Sequence, residues 1–492
     1  MQTITEQIKK LVSDTLEIVP TAIHPLPLSG SDRRYFRVET AAKNYIATHG
    51  LNVKENQAFI YFSNHFRSKA LPVPQIFGTN EDETIYLQED LGDETLLNRL
   101  EKEGYTEPVK DLFKETLRQL ARLQVLGNEG MDYDRCLTAK EFGKQAIMSD
   151  LLYFKYYFLD TLKTPYDKQA MLDDFDALAN YLTHTDYKFF MFRDFQSRNI
   201  MLKNDQPYFV DYQGGMKGAP QYDAASMIWQ ARAELSDEWK KELLETYVTA
   251  LEEVLGETID RPGFTGQYFG YVLIRLLQVL GAYGFRGLFE RKAQFLTSIP
   301  LALRNLQWFI GNRSIGIRTP EFTRMLELIV GDDIISRFEP VQAKKETPLT
   351  VYINSFSYIH TGYPPDPSVN GGGFVFDCRG ILNPGRIEKY KTQTGRDKEV
   401  IDFLEQSTKM PDFINNVFNI VDINVEDYIK RDFESLMINF GCTGGQHRSV
   451  YAAEQTARHL RNKYKVKTVV NHIEQEKKGW VNERYDIPVG KK

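Results

Sequence analysis

The opening stretch MQTITEQIKKLVSDTLEIVP sets apolar positions against charged ones in the manner of an amphipathic helix. Behind it, LPLSGSDRRYFRVETAAKNYIATHG predicts two strands joined by a turn near Thr40 to Lys43. A small-residue turn, Ser29-Gly30-Ser31-Asp32, comes just before them. The pattern next predicts a helix over 53–68, an extended entry over 71–78 and a strand over 84–88. That strand runs into the acidic connector Glu89-Asp90-Leu91-Gly92-Asp93. Helical periodicity covers about 107–126, 139–162 and 167–183. Two short apolar runs follow, Phe189 to Phe192 and Ile200 to Leu202, then a polar turn at Asn204 to Pro207 and a strand at Tyr208 to Val210. Residues 235–331 are helix-rich throughout.

The pattern changes at the polar stretch from Glu339 to Pro348, which breaks the helical period and marks a boundary. Beyond it, strand-like runs at 350–356, 373–377, 435–440 and 467–471 are separated by helical segments, notably 398–406, 413–420 and 449–463. Strands alternating with helices predict a small α/β domain that takes ligands at the carboxyl ends of its strands. The expected organisation is a first domain over 1–335, a linker over 336–348 and a second domain over 349–492.

Length and composition narrow the class. A chain of 492 residues suits two or three domains. Its 42% hydrophobic and 13% aromatic content is enough for buried cores, which excludes a disordered chain. A net charge of −6 argues against wholesale binding to a nucleic-acid backbone, though it leaves room for a local basic patch. The three cysteines, Cys136, Cys378 and Cys442, are widely spaced, which fits a reducing compartment and excludes a disulfide scaffold. The N-terminus lacks the apolar core of a signal peptide, and no run approaches the roughly 18 apolar residues of a membrane span. A cytoplasmic protein with no membrane partner is expected.

Candidate chemistry centres on FMFRDFQSRNIMLKNDQPYFVDYQ. Asp194, then Asn199 five residues on, then Asp211 at the end of the next strand form the base-and-metal pattern of kinase-like phosphoryl transfer. In that template the first Asp accepts the proton of the attacking hydroxyl, and the Asn and second Asp hold magnesium on the nucleotide phosphates. A hairpin brings the strand ends side by side. The turn Ser29-Gly30-Ser31 is a candidate cradle for nucleotide phosphates, and the backbone of Glu89 to Leu91 a candidate for the adenine edge. Glu55 is placed either to orient a cation or to face solvent. Asp223 either braces the catalytic loop or supplies helix N-terminal charge. The strand Asn44 to His49 carries no lysine at its end, where a protein kinase has its phosphate-binding lysine.

PxxYDxAS after RDxxxxN and VDYQ resembles the aminoglycoside phosphotransferase superfamily, which includes choline and sugar kinases. More narrowly, GSDRRYFRV, LPVP, LQEDLGD, RDFQSRNIML and LIRLLQVLGAYGFRGLFERKAQFLTSIPLALRNL resemble the anomeric kinases of cell-wall sugar recycling. These phosphorylate N-acetylmuramate and N-acetylglucosamine on the C1 hydroxyl. The resemblance covers about residues 1 to 335 and implies an α+β bilobal kinase-like domain. It implies Asp194 as base, Asn199 and Asp211 as Mg²⁺ ligands, and ATP as phosphoryl donor. Phe192 stands where the superfamily usually has His, two residues before the base. The anomeric-kinase subgroup also lacks the strand lysine.

In the second domain two strand ends carry chemistry. One is Phe376-Asp377-Cys378-Arg379; the other is GCTGGQHRS from Gly441 to Ser449, a glycine-rich loop between a strand and a helix. Its backbone amides, Thr443, Arg448 and Ser449 suit an anion. Cys442 followed after five residues by Arg448-Ser449 also has the spacing of a cysteine phosphatase loop, but Gly441 stands where such loops have His. GCTGGQHRSVYAAEQ, with FVFDCRGILNP and TGRDKEV, resembles the C-terminal domain of the RNase adapter protein RapZ over about residues 349 to 480. That family binds glucosamine-6-phosphate and small regulatory RNAs. The resemblance implies amino-sugar-phosphate contacts from Asp377, Arg379, Thr443, Gly444, Gly445, His447, Arg448 and Ser449, with His472 a further candidate. The family's Asn-Pro-His is Asn383-Pro384-Gly385 here. RapZ proteins carry an N-terminal P-loop ATPase, and no Gly-x4-Gly-Lys-Ser/Thr occurs in this chain. The basic stretch RHLRNKYKVK reads as solvent surface in preference to an RNA contact.

Together these readings predict an ATP-dependent small-molecule kinase, acting on the anomeric hydroxyl of an N-acetylated amino sugar, joined to a domain that binds an amino-sugar phosphate. The alternatives are a choline- or aminoglycoside-type kinase, a phosphatase in the second domain, or a regulatory adapter whose degenerate kinase domain binds nucleotide without turnover while the second domain binds sugar phosphate and captures RNA.

Overall fold

Helix Ile4–Leu16 starts where Thr3 caps it, in a reciprocal box with Glu6. It buries Ile8, Leu11 and Val12 against a five-stranded antiparallel sheet. The strands are β1 (Ala22–Pro25), β2 (Arg34–Glu39), β3 (Asn44–His49), β4 (Ile76–Thr79) and β5 (Ile85–Glu89), in the order β1-β2-β3-β5-β4. The computed structural model describes residues 3–26, 33–339, 341–368 and 372–479. β2, β3 and β5 stand where alternation predicts them. β1 and β4 have only four residues each, one ending on Pro25 and the other interrupted at Gly78 by a register shift, too little for a period to emerge.

Helix Val53–Ser68 carries an aromatic face, Phe59, Phe62 and Phe66. Phe59 stacks on Tyr212 at 4.8 Å between centroids, and Phe66 meets Phe190 edge-on at 4.9 Å. Contacts of this kind contribute about 0.5–1.5 kcal/mol each beyond the area they bury. They fix the sheet-side lobe to the segment around Asp194.

The second lobe is helical: Leu96–Glu103, Glu107–Asn128, Lys144–Tyr157, Lys168–Thr183, Gln221–Ile228, Asp237–Leu255, Arg261–Tyr283, Ile299–Asn312, Pro320–Ile329 and Asp332–Phe338. Helix Arg261–Tyr283 and its continuation to Phe289 are long and apolar enough to cross a membrane by composition alone. Packing against Lys144–Tyr157, Gln221–Ile228 and Ile299–Asn312 accounts for that character, since Tyr268, Tyr271, Ile274 and Leu277 are all buried there. The helix continues as a π-helical segment, Gly284–Phe289. A Cβ on Gly284 would lie 2.1 Å from the Tyr157 carbonyl oxygen, so only glycine allows the two helices to meet.

The chain forms two compact units, Met1–Glu290 with Ser298–Phe338, and Arg291–Thr297 with Glu339–Lys492. The polar stretch after Glu339 lies in the second unit, where the Ala343 amide donates to the Tyr464 carbonyl at 2.7 Å. That unit is built on a parallel sheet of β10 (Thr350–Ser357), β11 (Gly373–Asp377), β12 (Ser435–Cys442) and β13 (Lys467–His472), in the order β11-β12-β10-β13. Val351, Ile353, Ile438 and Phe440 pack against Val417, Val421 and Val425 of helix Met410–Lys430 and Ala453 and Ala457 of helix Arg448–Tyr464. Parallel strands put their carboxyl ends on one edge. Asp377 and Cys442 both end strands on that edge.

Candidate functional site

The backbone that delivers Asp194 is built around a buried carboxylate. The strand before it, β6 (Phe189–Met191), pairs antiparallel with β9 (Met216–Gly218), a strand that the sequence pattern does not predict. The chain then turns at Arg193 with a φ of 77°, a conformation uncommon outside glycine. Asp223, fully buried, accepts the amides of Phe192 at 2.7 Å and Arg193 at 3.0 Å, and the Gln124 side-chain amide at 3.1 Å. Asp223 therefore braces the loop that carries Asp194. Burial pushes its carboxyl up to about 7, against the pull of those three donors. The Arg193 guanidinium binds both oxygens of Asp150, at 2.9 and 3.1 Å, and lies 4.6 Å from the centre of the Phe142 ring. Phe192 is buried against Phe195 and Tyr212.

The metal-side pair comes from the hairpin of β7 (Ile200–Lys203) and β8 (Gln206–Phe209). Its two-residue loop, Asn204-Asp205, has φ of 54° and 56°, the type I′ geometry that Asn and Asp tolerate. The Val210 amide bonds the Asn199 carbonyl at 3.1 Å, which sets the two ends side by side. Asn199 Nδ2 then donates to the Asp194 carbonyl at 2.9 Å and to Asp211 Oδ2 at 3.3 Å. Asp194, Asn199 and Asp211 thus converge. The Asp194 carboxylate is half exposed, and its Oδ1 accepts Arg275 Nη2 at 3.2 Å. Asp211, at a φ of 71°, accepts Gln213 Nε2 and Arg33 Nη2 on Oδ1, each at 2.9 Å.

A divalent cation fits this donor set. Asp211 offers a part-exposed carboxylate, and Asn199 uses only its nitrogen in the bonds above, leaving the side-chain oxygen for a hard ion. No cluster of three or more His, Cys, Asp or Glu suited to a metal exists among the described residues.

The candidate phosphate turn Ser29-Gly30-Ser31 lies outside the described residues. Of the hinge candidates, the Glu89 amide is taken by the Gln75 carbonyl at 2.9 Å and its carboxylate by Lys203 at 2.6 Å. The Leu91 amide has no acceptor among the described residues, so it is the donor left for an adenine edge. Neighbouring Asp90 is held by Arg37 through bonds of 2.7 and 3.2 Å.

A small cleft opens beside Asp194. Arg275, which bonds Asp194, lines it together with Arg198, Arg232, Gln196, Gln230 and Tyr283, over an apolar wall that includes Trp229 and Val279. No carboxylate is among its lining residues. Gln230 Oε1 accepts both the amide and hydroxyl of Ser197, at 3.1 and 2.7 Å, which ties the cleft to the catalytic loop. The sequence reading missed Arg275 and Arg33. A lone arginine in the apolar run LIRLLQVL was the available signal for the first.

In the second unit, β12 ends on Cys442 and helix Arg448–Tyr464 begins six residues later. Gly445 has a φ of 65°, and a Cβ there would press within 2.8 Å of Glu474 and 3.0 Å of the Ser357 amide, so the turn requires glycine. A Cβ on Gly444 would meet open space. The amides of Thr443, Gly444 and Gln446 have no acceptor among the described residues, so the loop offers the free backbone donors that an anion would need. Asp377 and Arg379 form an exposed pair at 2.7 Å, with the guanidinium 4.0 Å from the Tyr358 ring centre.

The remaining candidates are turned inward. Arg448 is buried and donates to the carbonyls of Arg379 at 3.1 Å and Ile381 at 2.7 Å, and to Thr443 Oγ1 at 3.3 Å. Ser449 is fully buried, with its hydroxyl 3.2 Å from Cys442 Sγ, so it supports the loop from beneath and does not face a ligand. His447 is buried with Nε2 2.8 Å from the Tyr390 carbonyl, and burial lowers its imidazole pKa. His472 lies buried between Ser355 and Glu454, at 2.8 and 3.0 Å. In the basic stretch, Asp422 engages His459 and Lys463, each at 2.7 Å.

Comparison with known proteins matches each part separately. Residues 23–257 match the model of the phosphotransferase enzyme family, and residues 349–476 that of the RapZ C-terminal domain. A nucleotide-binding protein of Solibacter usitatus is 35% identical over 117 residues, 24% of this chain and 35% of that protein. Another, of Endomicrobium trichonymphae, is 36% identical over 149 residues, 30% of this chain and 49% of that protein. The chain thus spans half or less of the length of these curated relatives. Among solved structures, a thermostable mutant of an aminoglycoside phosphotransferase aligns with a TM-score of 0.41 at 15% identity, over 62% of this chain and 100% of that one. The chain carries a kinase-like domain of the phosphotransferase enzyme family over residues 23–257, followed by a RapZ C-terminal domain over residues 349–476.

Proposed function

We propose that the protein transfers the γ-phosphoryl group of ATP to a sugar hydroxyl, specifically the anomeric hydroxyl of an N-acetylated amino sugar, and that its second unit binds an amino-sugar phosphate. The observation that carries the first part is the convergence of Asp194, Asn199 and Asp211 through one Asn199 amide. Asp194 orients the acceptor hydroxyl and takes its proton as the bond to phosphorus forms. Arg275 holds the Asp194 carboxylate in place, and Asp223 fixes the backbone on its N-terminal side. When bound at Asp211 and Asn199, Mg²⁺ supplies the positive charge that offsets the phosphates. The hinge amide of Leu91 is the donor available to the adenine edge.

The acceptor cleft favours a neutral or acidic sugar over the cationic acceptors of choline- or aminoglycoside-type kinases. Three arginines line it; Arg275 pairs with Asp194 and Arg232 with Glu101, and Arg198, with no ion pair among the described residues, is the cation an entering ammonium group would meet. The Gln196 side chain in its lining suits a sugar hydroxyl. In the second unit, unpartnered loop amides and open space at Gly444 support a phosphate ligand. Cys442 is only 2% exposed, and its sulfur accepts the Gly445 amide at 3.2 Å, which favours a binding loop over a phosphatase nucleophile.

The deciding experiment is a screen of amino sugars, neutral sugars, choline and an aminoglycoside with ATP and Mg²⁺, following ADP release and the phosphorylated product. Turnover of an N-acetylated amino sugar at C1 supports the reading. Turnover of only a cationic acceptor, or none, overturns it.

A further inference from the structure

In kinase-like phosphoryl transfer, a lysine on the third strand joins a helix glutamate to the donor phosphates. Strand β3 has no such lysine; Thr48 is fully buried there and accepts the Gln88 amide at 3.2 Å. The helix glutamate is nevertheless present, as Glu55 in the first turn of Val53–Ser68. Its nearest cation comes from elsewhere. Arg33 precedes β2, two residues before Tyr35, which pairs with Thr48 across the sheet. From there Arg33 Nη2 lies 3.5 Å from Glu55 Oε1 and 2.9 Å from Asp211 Oδ1. Gln213 Nε2 bridges the same two carboxylates, at 3.3 and 2.9 Å.

Arg33 is 7% exposed, and its Nε is buried with no acceptor among the described residues. The Tyr86 hydroxyl also lies against the guanidinium. Nη2 of Arg33 is held by Glu55 and faces Asp211, the candidate metal carboxylate, which directs the charge toward the place the donor phosphates would take.

We propose that Arg33 provides the phosphate-facing positive charge that the missing strand lysine would have supplied, with Glu55 and Gln213 as its positioning residues. Arginine suits the role because it stays charged and offers a planar fork of donors to phosphate oxygens. The inference rests on the phosphoryl-transfer reading above, extending it to a residue for which spacing gave no signal.

The test uses the full chain with ATP and adenosine as probes, in the presence of Mg²⁺, by titration calorimetry, together with KM and kcat from ADP release. Arg33→Gln should weaken ATP on the order of tenfold to a hundredfold while leaving adenosine within about twofold of the wild type. Arg33→Gln/Thr48→Lys should recover part of the ATP affinity, a rescue that a purely structural role does not predict. If Arg33→Gln does not fold, Arg33→Lys carries the test by raising KM for ATP with adenosine binding retained. Equal losses for ATP and adenosine, or no loss in any variant, would overturn the proposal. A wild type that binds ATP while Arg33→Gln binds it equally well sinks this proposal alone; a wild type that binds no ATP sinks the phosphoryl-transfer reading with it.

Discussion

The two candidate sites are made of different material. Around Asp194 the chemistry lies in side chains, drawn from positions up to 17 residues apart and held by a frame of buried hydrogen bonds. In the loop after β12 it lies in the backbone, on one contiguous stretch from Thr443 to Gln446. The first depends on which atoms the side chains carry and tolerates little change in them. The second depends on chain path, so its named side chains, Arg448, His447 and Ser449, turn inward to hold that path.

Substitutions sharpen this contrast, from the largest expected effect to the smallest. Asp194→Ala removes a half-exposed proton acceptor; turnover should fall by about 10²–10⁴, and the buried Arg275 left without its carboxylate should lower the melting temperature modestly, as ADP release and thermal denaturation would report. Asp223→Ala should weigh mainly on stability. It strands two buried amides, at about 1–3 kcal/mol each, and should lower the denaturation midpoint as well as activity. Gly445→Ala places a Cβ against Glu474 and the Ser357 amide at a positive φ, and should cost about 1–3 kcal/mol and abolish sugar-phosphate binding. Cys442→Ser should leave glucosamine-6-phosphate affinity within about threefold, less than one lost hydrogen bond, and phosphate release from it should be absent in both forms.

The Asp223 carboxyl adds a pH signature. The folded chain holds that proton up to about pH 7, whereas an unfolded carboxyl loses it near 4. Between those values the native state binds more protons, so this group's contribution to stability falls as pH rises from about 4 to 7 and is level above. Comparing melting temperature against pH for wild type and Asp223→Asn should show that slope only in the wild type.

Legibility in the sequence followed the same division. Spacing sufficed to anticipate that Asp194, Asn199 and Asp211 lie together, because the hairpin between them is short and its turn residues are chemically constrained. The contiguous loop was legible as a motif, yet Ser449 read as a ligand contact because spacing cannot say which side of the loop a hydroxyl takes. Arg33 and Arg275 were missed because their partners lie 178 and 81 residues away, respectively. β1, β4 and β9 escaped because three or four residues cannot establish an alternation.

The most direct measurement is phosphoryl transfer from ATP to an N-acetylated amino sugar by the full chain, with Asp194→Ala beside it. The account predicts a sugar 1-phosphate from the wild type and a loss of at least about a hundredfold in the variant. Equal product from both, or none from either across the amino sugars tested, would contradict it.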